Sequence, residues 1–200
     1  MLQWLLLGLS LGFTAGISPG PMLVLVIRET IERGWRAGRL IAFAPLLSDI
    51  PMIILALLVV GSLPPLVVGA LGIVGGLFII WMGFDSLRPA SVKIEQDERG
   101  SLLRALITNW LNPHPWIFWI VVGAPLLVDG WRSGGLSWAA GFLAAFYLLL
   151  VGSKLVLAAL VAQSRQFLNG TAYRRVLQLS SLLLIGLGVS LIVEALRGLA

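Results

Sequence analysis

The sequence predicts an all-α integral membrane protein with six transmembrane helices, arranged as two inverted three-helix repeats. Of its 200 residues, 58% are hydrophobic and only 12% are charged, whereas a soluble domain carries about 25% charged residues. The charges cluster and leave apolar stretches of about 18 residues or more, which is long enough for a membrane-spanning helix. In addition, two similar segments occur, one in each half of the chain.

The repeated segments each contain a pair of prolines inside a hydrophobic stretch. Ser18-Pro-Gly-Pro in the first half corresponds to Asn112-Pro-His-Pro in the second. Each is followed by an apolar run and a Gly-Trp-Arg segment, and residues 34–40 and 130–136 match at five of seven positions. Interruptions at corresponding places in two halves are typical of the substrate site of a transporter.

Six apolar stretches predict the spans. They cover about 2–27, 39–60, 66–87, 103–128, 136–162 and 175–196. The longest polar segment, 88–102, links a first repeat, 1–87, to a second repeat, 103–200. We therefore expect a single transmembrane transporter domain that fills the chain, 1–200.

The basic residues predict the orientation. Eleven lie in the loops after spans one, three and five, and two lie on the opposite side. The first group is Arg28, Arg33, Arg36, Arg39, Arg88, Lys93, Arg99, Arg104, Arg165, Arg174 and Arg175, and the second is Arg132 and Arg197. Because basic loops stay inside, the linker should be cytoplasmic in a plasma (inner) membrane protein, with both termini outside. Because each half has three spans, the two halves have inverted topology. The basic residues lie in loops beside the spans, where topology explains the net charge of +5, so we do not expect nucleic-acid binding.

Composition excludes several classes of function. The chain has no cysteine, which excludes disulfides, thiolate catalysis, iron–sulfur ligation and a thiol–disulfide electron carrier. One histidine and nine acids, mostly in loops, predict no metal site and no cofactor. No catalytic motif is present, and an enzyme would need a second catalytic group at the depth of Asp49, where only His114 could serve. We expect a protein that is not an enzyme.

Two charged residues fall well inside predicted spans, away from the span ends. Asp49 lies roughly 15 Å and Lys154 roughly 12 Å from the cytoplasmic surface at 1.5 Å of rise per residue. A carboxylate at that depth is costly and is usually functional, although it could simply pair with a neighbour. One hypothesis is an Asp49–Lys154 ion pair, and the alternative is a lysine whose amine extends to the interface.

The two proline breaks fall in the same layer as these charges. Proline removes a helical hydrogen bond, and freed backbone groups in a membrane are tolerated where they line a cavity. The alternative is that each pair only kinks a helix or begins one. His114 can titrate near neutral pH, as a proton carrier or a substrate ligand, or can serve as an ordinary hydrogen-bonding residue. The candidate substrate site is Ser18, Pro19, Gly20, Pro21, Asp49, Asn112, Pro113, His114, Pro115 and Lys154.

Small and aromatic residues predict packing. Four glycines (Gly8, Gly12, Gly16 and Gly20) recur every four residues in span one. Such a face allows close helix contact, either within the monomer or between the subunits of a homo-oligomer. Three tryptophans near the second break could wall a cavity or pack ordinarily. They are Trp110, Trp116 and Trp119.

Several of these features together resemble the LysE-type translocator family over essentially the whole chain. They are Ser18-Pro-Gly-Pro, Gly38-Arg39 at the start of span two, Asp49 within it, and Asn112-Pro113. The resemblance implies a secondary exporter that moves an amino acid or a similar small metabolite through the lipid bilayer, driven by proton exchange. Here Asp49 would take a proton or the substrate ammonium.

The chain also departs from the family pattern. His114 stands where members often have lysine, Ser48 stands where many have glycine, and Lys154 is not part of the pattern. These departures leave the substrate open. One alternative is an exporter of cations, which is less well supported because the membrane contains one clear acid and one histidine. The other is a non-transporting membrane protein, against which the paired breaks argue.

Overall fold

The computed structural model describes residues 2–18, 20–85, 101–163 and 171–199, and the secondary structure of these residues is entirely helical. The helices are α1 (Leu2–Ile17), α2 (Pro21–Arg33), α3 (Trp35–Ala42), α4 (Ala44–Gly61), α5 (Pro65–Asp85), α6 (Ser101–Leu111), α7 (Pro113–Phe118), α8 (Ala124–Gly134), α9 (Leu136–Gln163) and α10 (Thr171–Leu199). A π-helical turn, Trp119–Gly123, separates α7 from α8. The predicted site residue Pro19 and most of the predicted linker, 88–102, lie outside the described residues.

Helices occupy the position of every predicted span, although two of the spans are broken. Two helices, Trp35–Gly61 and Leu136–Gln163, are long and apolar enough to cross a membrane unaided. The pair α1 and α2 and the pair α6 and α7–α8 qualify as broken spans, bent by 59° and 58°. The described residues thus supply two to four candidate spans, and six spans in inverted repeats stay a prediction.

The two Gly-Trp-Arg segments, residues 34–40 and 130–136, differ in where the chain turns. Gly34, with φ +84°, lies between α2 and α3, so the first turn precedes Trp35. In the second segment Gly130-Trp131-Arg132 is inside α8, and the turn comes at Gly135, with φ +67°. The second copy has this glycine where the first has Arg39, and glycine adopts positive φ without steric cost.

The α1 glycines form the close contact with α9. A Cβ added at Gly8, Gly12 or Gly16 would collide with atoms of Phe142, Phe146 or Ser153 respectively. The prediction that this stripe packs is therefore confirmed, and its partner is a helix of the same chain. Gly20 is the exception, since a Cβ there would meet nothing within 4 Å.

A buried ion pair connects α2 with α6. Glu29 is 1% exposed, and its carboxylate lies 3.5 Å from Nη1 of Arg104 and 3.7 Å from Nε of Arg33. On the same helix, Nε of Arg28 donates to Glu32 at 2.9 Å, but Glu32 is 38% exposed. The Glu29–Arg104 pair therefore ties the two broken helices together about two turns beyond the start of α2.

We predict that Gly12→Ala lowers the unfolding temperature of the detergent-purified protein. The new methyl group would enter the backbone of Phe146, and overpacking of a tight contact costs about 1–3 kcal/mol. The matched control is Gly152→Ala in α9, where a Cβ meets nothing within 4 Å. That variant should be as stable as the wild type or slightly more so, because alanine favours the helix. Equal unfolding temperatures for the two variants would contradict the proposed contact.

We also predict that Glu29→Gln is far more destabilising than Glu32→Gln. Removing one partner of a buried pair costs about 3–5 kcal/mol because the other charge loses its compensation. An exposed pair contributes only about 0–1 kcal/mol. Thermal unfolding of both variants checks this, and similar losses would show that the Glu29 carboxylate is not needed to hold α2 against α6.

Candidate functional site

A cavity of about 350 Å³ lies where the two breaks, α4 and α9 meet. Eight of the ten predicted site residues line it: Ser18, Gly20, Pro21, Asp49, Asn112, His114, Pro115 and Lys154. Pro19 lies outside the described residues, and Pro113 begins α7. The structure thus brings the two proline segments and the two membrane charges to one place.

At the first break, the side chain of Lys154 bonds to backbone carbonyls that have lost their helical partners. Pro19 has no amide N–H, so the carbonyl of Ala15, four residues earlier, cannot receive its usual helical hydrogen bond. Nζ of Lys154 donates to the carbonyl oxygens of Ala15 and Gly16, each at 3.2 Å. The ammonium therefore satisfies the last carbonyls of α1, at the helix end where a positive charge is favoured.

At the second break, uncharged side chains bond to the backbone groups that have lost their helical partners. Oδ1 of Asn112 accepts a hydrogen bond from the backbone N–H of His114 at 3.1 Å and so caps α7. The carbonyl of Trp110, which would otherwise receive that N–H, accepts from Nε1 of Trp116 at 2.9 Å. Each proline segment is thus a break in one span and also the start of a new helix, since proline suits the first helical position.

Asp49 is held by neutral donors from two other helices. Its side chain is buried in α4, and its carboxylate accepts from Nδ2 of Asn109 at 2.7 Å and from the hydroxyl of Tyr147 at 3.0 Å. Nδ2 of Asn109 also donates to Oγ of Ser48 at 2.7 Å. These bonds supply the partners that a buried carboxylate requires, and they connect α4 with α6 and α9.

The predicted ion pair between Asp49 and Lys154 is not formed. Among the ion pairs of the described residues, none within 4.0 Å joins these two side chains. The alternative, a lysine that extends to the membrane interface, is also wrong, because Lys154 is 3% exposed. The freed carbonyls of α1 take the ammonium instead. Two opposite charges therefore face one cavity, each held by neutral partners.

An aromatic wall, made of Phe118, Trp119 and Phe146, borders the cavity. The rings of Phe118 and Phe146 are stacked, with centroids 5.3 Å apart and planes inclined by 16°. Trp119 meets Phe146 edge-on at 5.5 Å. Trp119 begins the π-helical turn, a distortion that is frequent at functional sites. On another side of the cavity, the imidazole of His114 lies against Trp81, with centroids 5.2 Å apart.

Asn109 and Tyr147 are the contacts of Asp49 that the sequence analysis missed. A signal for both exists, since each is a polar side chain within a predicted span, and polar groups inside a membrane are usually functional. Phe118 and Phe146 gave no comparable signal, because phenylalanine is common in spans.

The LysE type translocator family model matches residues 13–195 of the 200-residue chain. The chain belongs to this family. The family consists of membrane exporters of amino acids and small solutes, which are transporters rather than enzymes. The match covers both breaks, Asp49 and Lys154 of this translocator. No curated protein and no solved structure matches the chain.

We predict that Lys154→Met loosens the end of α1. Methionine keeps much of the side-chain length but cannot donate to the carbonyls of Ala15 and Gly16, so the last turn should open more often. Hydrogen–deuterium exchange of amides 14–18 should become faster than in the wild type. The control is Arg132→Met, an exposed residue of α8, which should leave these amides unchanged. Unaltered exchange in Lys154→Met would mean that the ammonium does not fix the helix end.

Proposed function

We propose that this translocator is a secondary active exporter of an amino acid, or of a similar small zwitterion, across the plasma membrane. The observation that supports this most is the pair of opposite charges, Asp49 and Lys154, that line one cavity without pairing with each other. A zwitterion presents one group to each of them. It can therefore enter a poorly solvated site with each of its charges paired. An unpaired charge in such a site would be costly.

The substrate ammonium binds Asp49 in this proposal. The carboxylate already accepts one hydrogen bond on each oxygen, from Asn109 and Tyr147. A carboxylate has about four lone-pair sites, so acceptor capacity remains for the substrate. The two neutral donors fix the orientation of the acid, which is how a binding group is kept in place between transport cycles.

The substrate carboxylate binds near Lys154. The ammonium of Lys154 has three donors, and two hydrogen bonds to carbonyls account for two of them. The start of α2 adds to this, since Met22 and Leu23 line the cavity and amides at a helix N-terminus favour an anion. The two ends of the substrate are thus bound by different helices, the ammonium by α4 and the carboxylate by α9 and the start of α2.

Proton exchange follows from the same carboxylate. A site that holds either a proton or a substrate ammonium cannot hold both, so the two ligands alternate at Asp49. Under the predicted orientation, a proton that enters from outside would displace the amino acid outward and would itself be released inside. His114 also lines the cavity.

Alternating access would use the breaks as hinges. Two broken helices, bent by 59° and 58°, border the cavity, and hinge motions are absorbed by a few residues at the ends of elements. The Glu29–Arg104 pair joins α2 to α6 beyond one end of the cavity. In this proposal the pair separates when that end opens.

We predict that Asp49→Asn slows amino-acid transport at least about tenfold, since removing a charge partner commonly costs several kcal/mol. The assay uses liposomes that contain the purified protein, a pH gradient and labelled amino acids. The matched control is Asp129→Asn, which changes an exposed acid of α8 and should transport normally.

The same liposomes test the coupling and the zwitterion. Collapsing the pH gradient should abolish the accumulation of label in the wild type. An analogue that keeps the side chain of a transported amino acid but lacks its carboxylate, or lacks its amine, should compete only weakly with that amino acid. Wild-type transport by Asp49→Asn would remove Asp49 from the mechanism, and accumulation that ignores the pH gradient would remove proton coupling.

A further inference from the structure

We propose that the substrate of this translocator carries a neutral, apolar side chain, and that the aromatic wall of Phe118, Trp119 and Phe146 selects it. This inference rests on the proposed function. If a zwitterion uses Asp49 and Lys154 for its two backbone charges, the remaining surface of the cavity must receive the side chain. The character of that surface then decides which amino acids bind.

The charges of the cavity are fully used by the backbone groups of an amino acid. The lining residues include one carboxylate, Asp49, and one ammonium, Lys154. A lysine or arginine substrate would bring a second positive charge, and among the residues that the structure describes no second acid lines the cavity. Glu29 is buried too, but Arg33 and Arg104 hold it outside the lining. A basic side chain would therefore lose its hydration without gaining a partner.

An acidic side chain meets the corresponding obstacle. It would have to share Lys154 with the substrate's own carboxylate, and that ammonium already donates to Ala15 and Gly16. The polar lining residues Ser18, Asn109 and Asn112 are uncharged, and Asn112 accepts from the backbone of His114. These three residues offer hydrogen bonds but no positive charge. The imidazole of His114 also lines the cavity, but it lies against the ring of Trp81, with centroids 5.2 Å apart.

The aromatic wall does not replace the missing acid through cation–π contacts. Such contacts require an open ring face. Phe146 stacks on Phe118 at 16° and lies stacked with Phe142 at 22°. Trp119 lies over Tyr147 at 26°, with centroids 6.3 Å apart. These stacked contacts cover one face of each ring and leave less ring face open to a cation, so the wall offers mainly apolar contact to a ligand.

The wall is well suited to an aliphatic or aromatic side chain. Phe118, Trp119, Phe146 and the neighbouring Leu150 are all buried and all line the cavity. Burial of each methylene in such a surface raises affinity by about fourfold. The volume of about 350 Å³ is near the lower end of small-molecule pockets, roughly 300–1,000 Å³, which fits one small metabolite.

The first experiment compares ligands on the purified wild-type protein. The probes are leucine, methionine, phenylalanine, glycine, lysine and glutamate, and the readout is the concentration that half-maximally raises the unfolding temperature. Leucine or another apolar probe should act at a concentration at least about tenfold lower than glycine, from the methylene contribution, and also at least about tenfold lower than lysine and glutamate, whose side-chain charges would lose their hydration. Lysine binding as tightly as the apolar probes would overturn the inference and leave the proposed function standing. Stabilisation by none of the six would contradict the proposed function as well.

The second experiment tests the wall with two matched variants. Phe146→Leu removes a ring that lines the cavity, and Phe142→Leu removes a fully buried ring one turn earlier that does not line it. The affinity ratio of leucine to glycine should fall at least about threefold in Phe146→Leu, roughly the value of one methylene, and stay at the wild-type value in Phe142→Leu.

Glycine binding by both variants shows that each is folded. Equal changes in the two ratios would assign the effect to general packing. An unchanged ratio in Phe146→Leu would show that this ring does not discriminate between substrate side chains. Either result overturns the selection by the wall.

Discussion

The architecture of the site depends on one contact, the donation of hydrogen bonds by the Lys154 ammonium to the carbonyls of Ala15 and Gly16. A helix that stops inside an apolar layer exposes carbonyls, and each such group is costly without a partner. Pro19 makes this worse, since it cannot donate to Ala15. With a donor supplied by α9, α1 can end at Ile17 and α2 can leave at 59°. That bend contributes one side of the cavity.

This arrangement also explains how two opposite charges coexist in one cavity without neutralising each other. Lys154 is held by two carbonyls, and Asp49 is held by an amide and a phenol. Neutral dipoles orient each charged group and offset part of its desolvation, but they leave its net charge available to a ligand. Had the predicted ion pair formed, each charge would have been neutralised by the other. A zwitterion would then have had to break that pair before binding.

The sequence predicted the location of the site better than its contacts. Proline chemistry located both breaks because it rests on a local rule. Asp49 and Lys154, which the rise of a helix predicted to lie in the same layer as the breaks, line the same cavity as the breaks do. The partner of Lys154 depended on which acceptor lies nearer in three dimensions. The first Gly-Trp-Arg segment turns at Gly34, whereas the second turns at Gly135, where the first segment has Arg39. The matching Gly-Trp-Arg residues did not reveal this difference. Asn109 and Tyr147 could have been found as polar residues in spans, whereas Phe118 and Phe146 could not have been distinguished from ordinary packing.

The two breaks, alike in sequence, are closed by different chemistry, and this difference bears on the proposed transport cycle. The second break uses Asn112 and Trp116, which are neutral and bind backbone groups next to them in the chain. The first break uses a charged side chain from α9, which is far from α1 in the sequence, and that side chain lines the cavity. A substrate carboxylate at Lys154 would draw on the same ammonium that fixes the end of α1. In the proposed cycle, a substrate charge therefore acts on the first hinge through Lys154, whereas the second hinge offers the cavity only the neutral Asn112, so we expect the hinge between α1 and α2 to respond first.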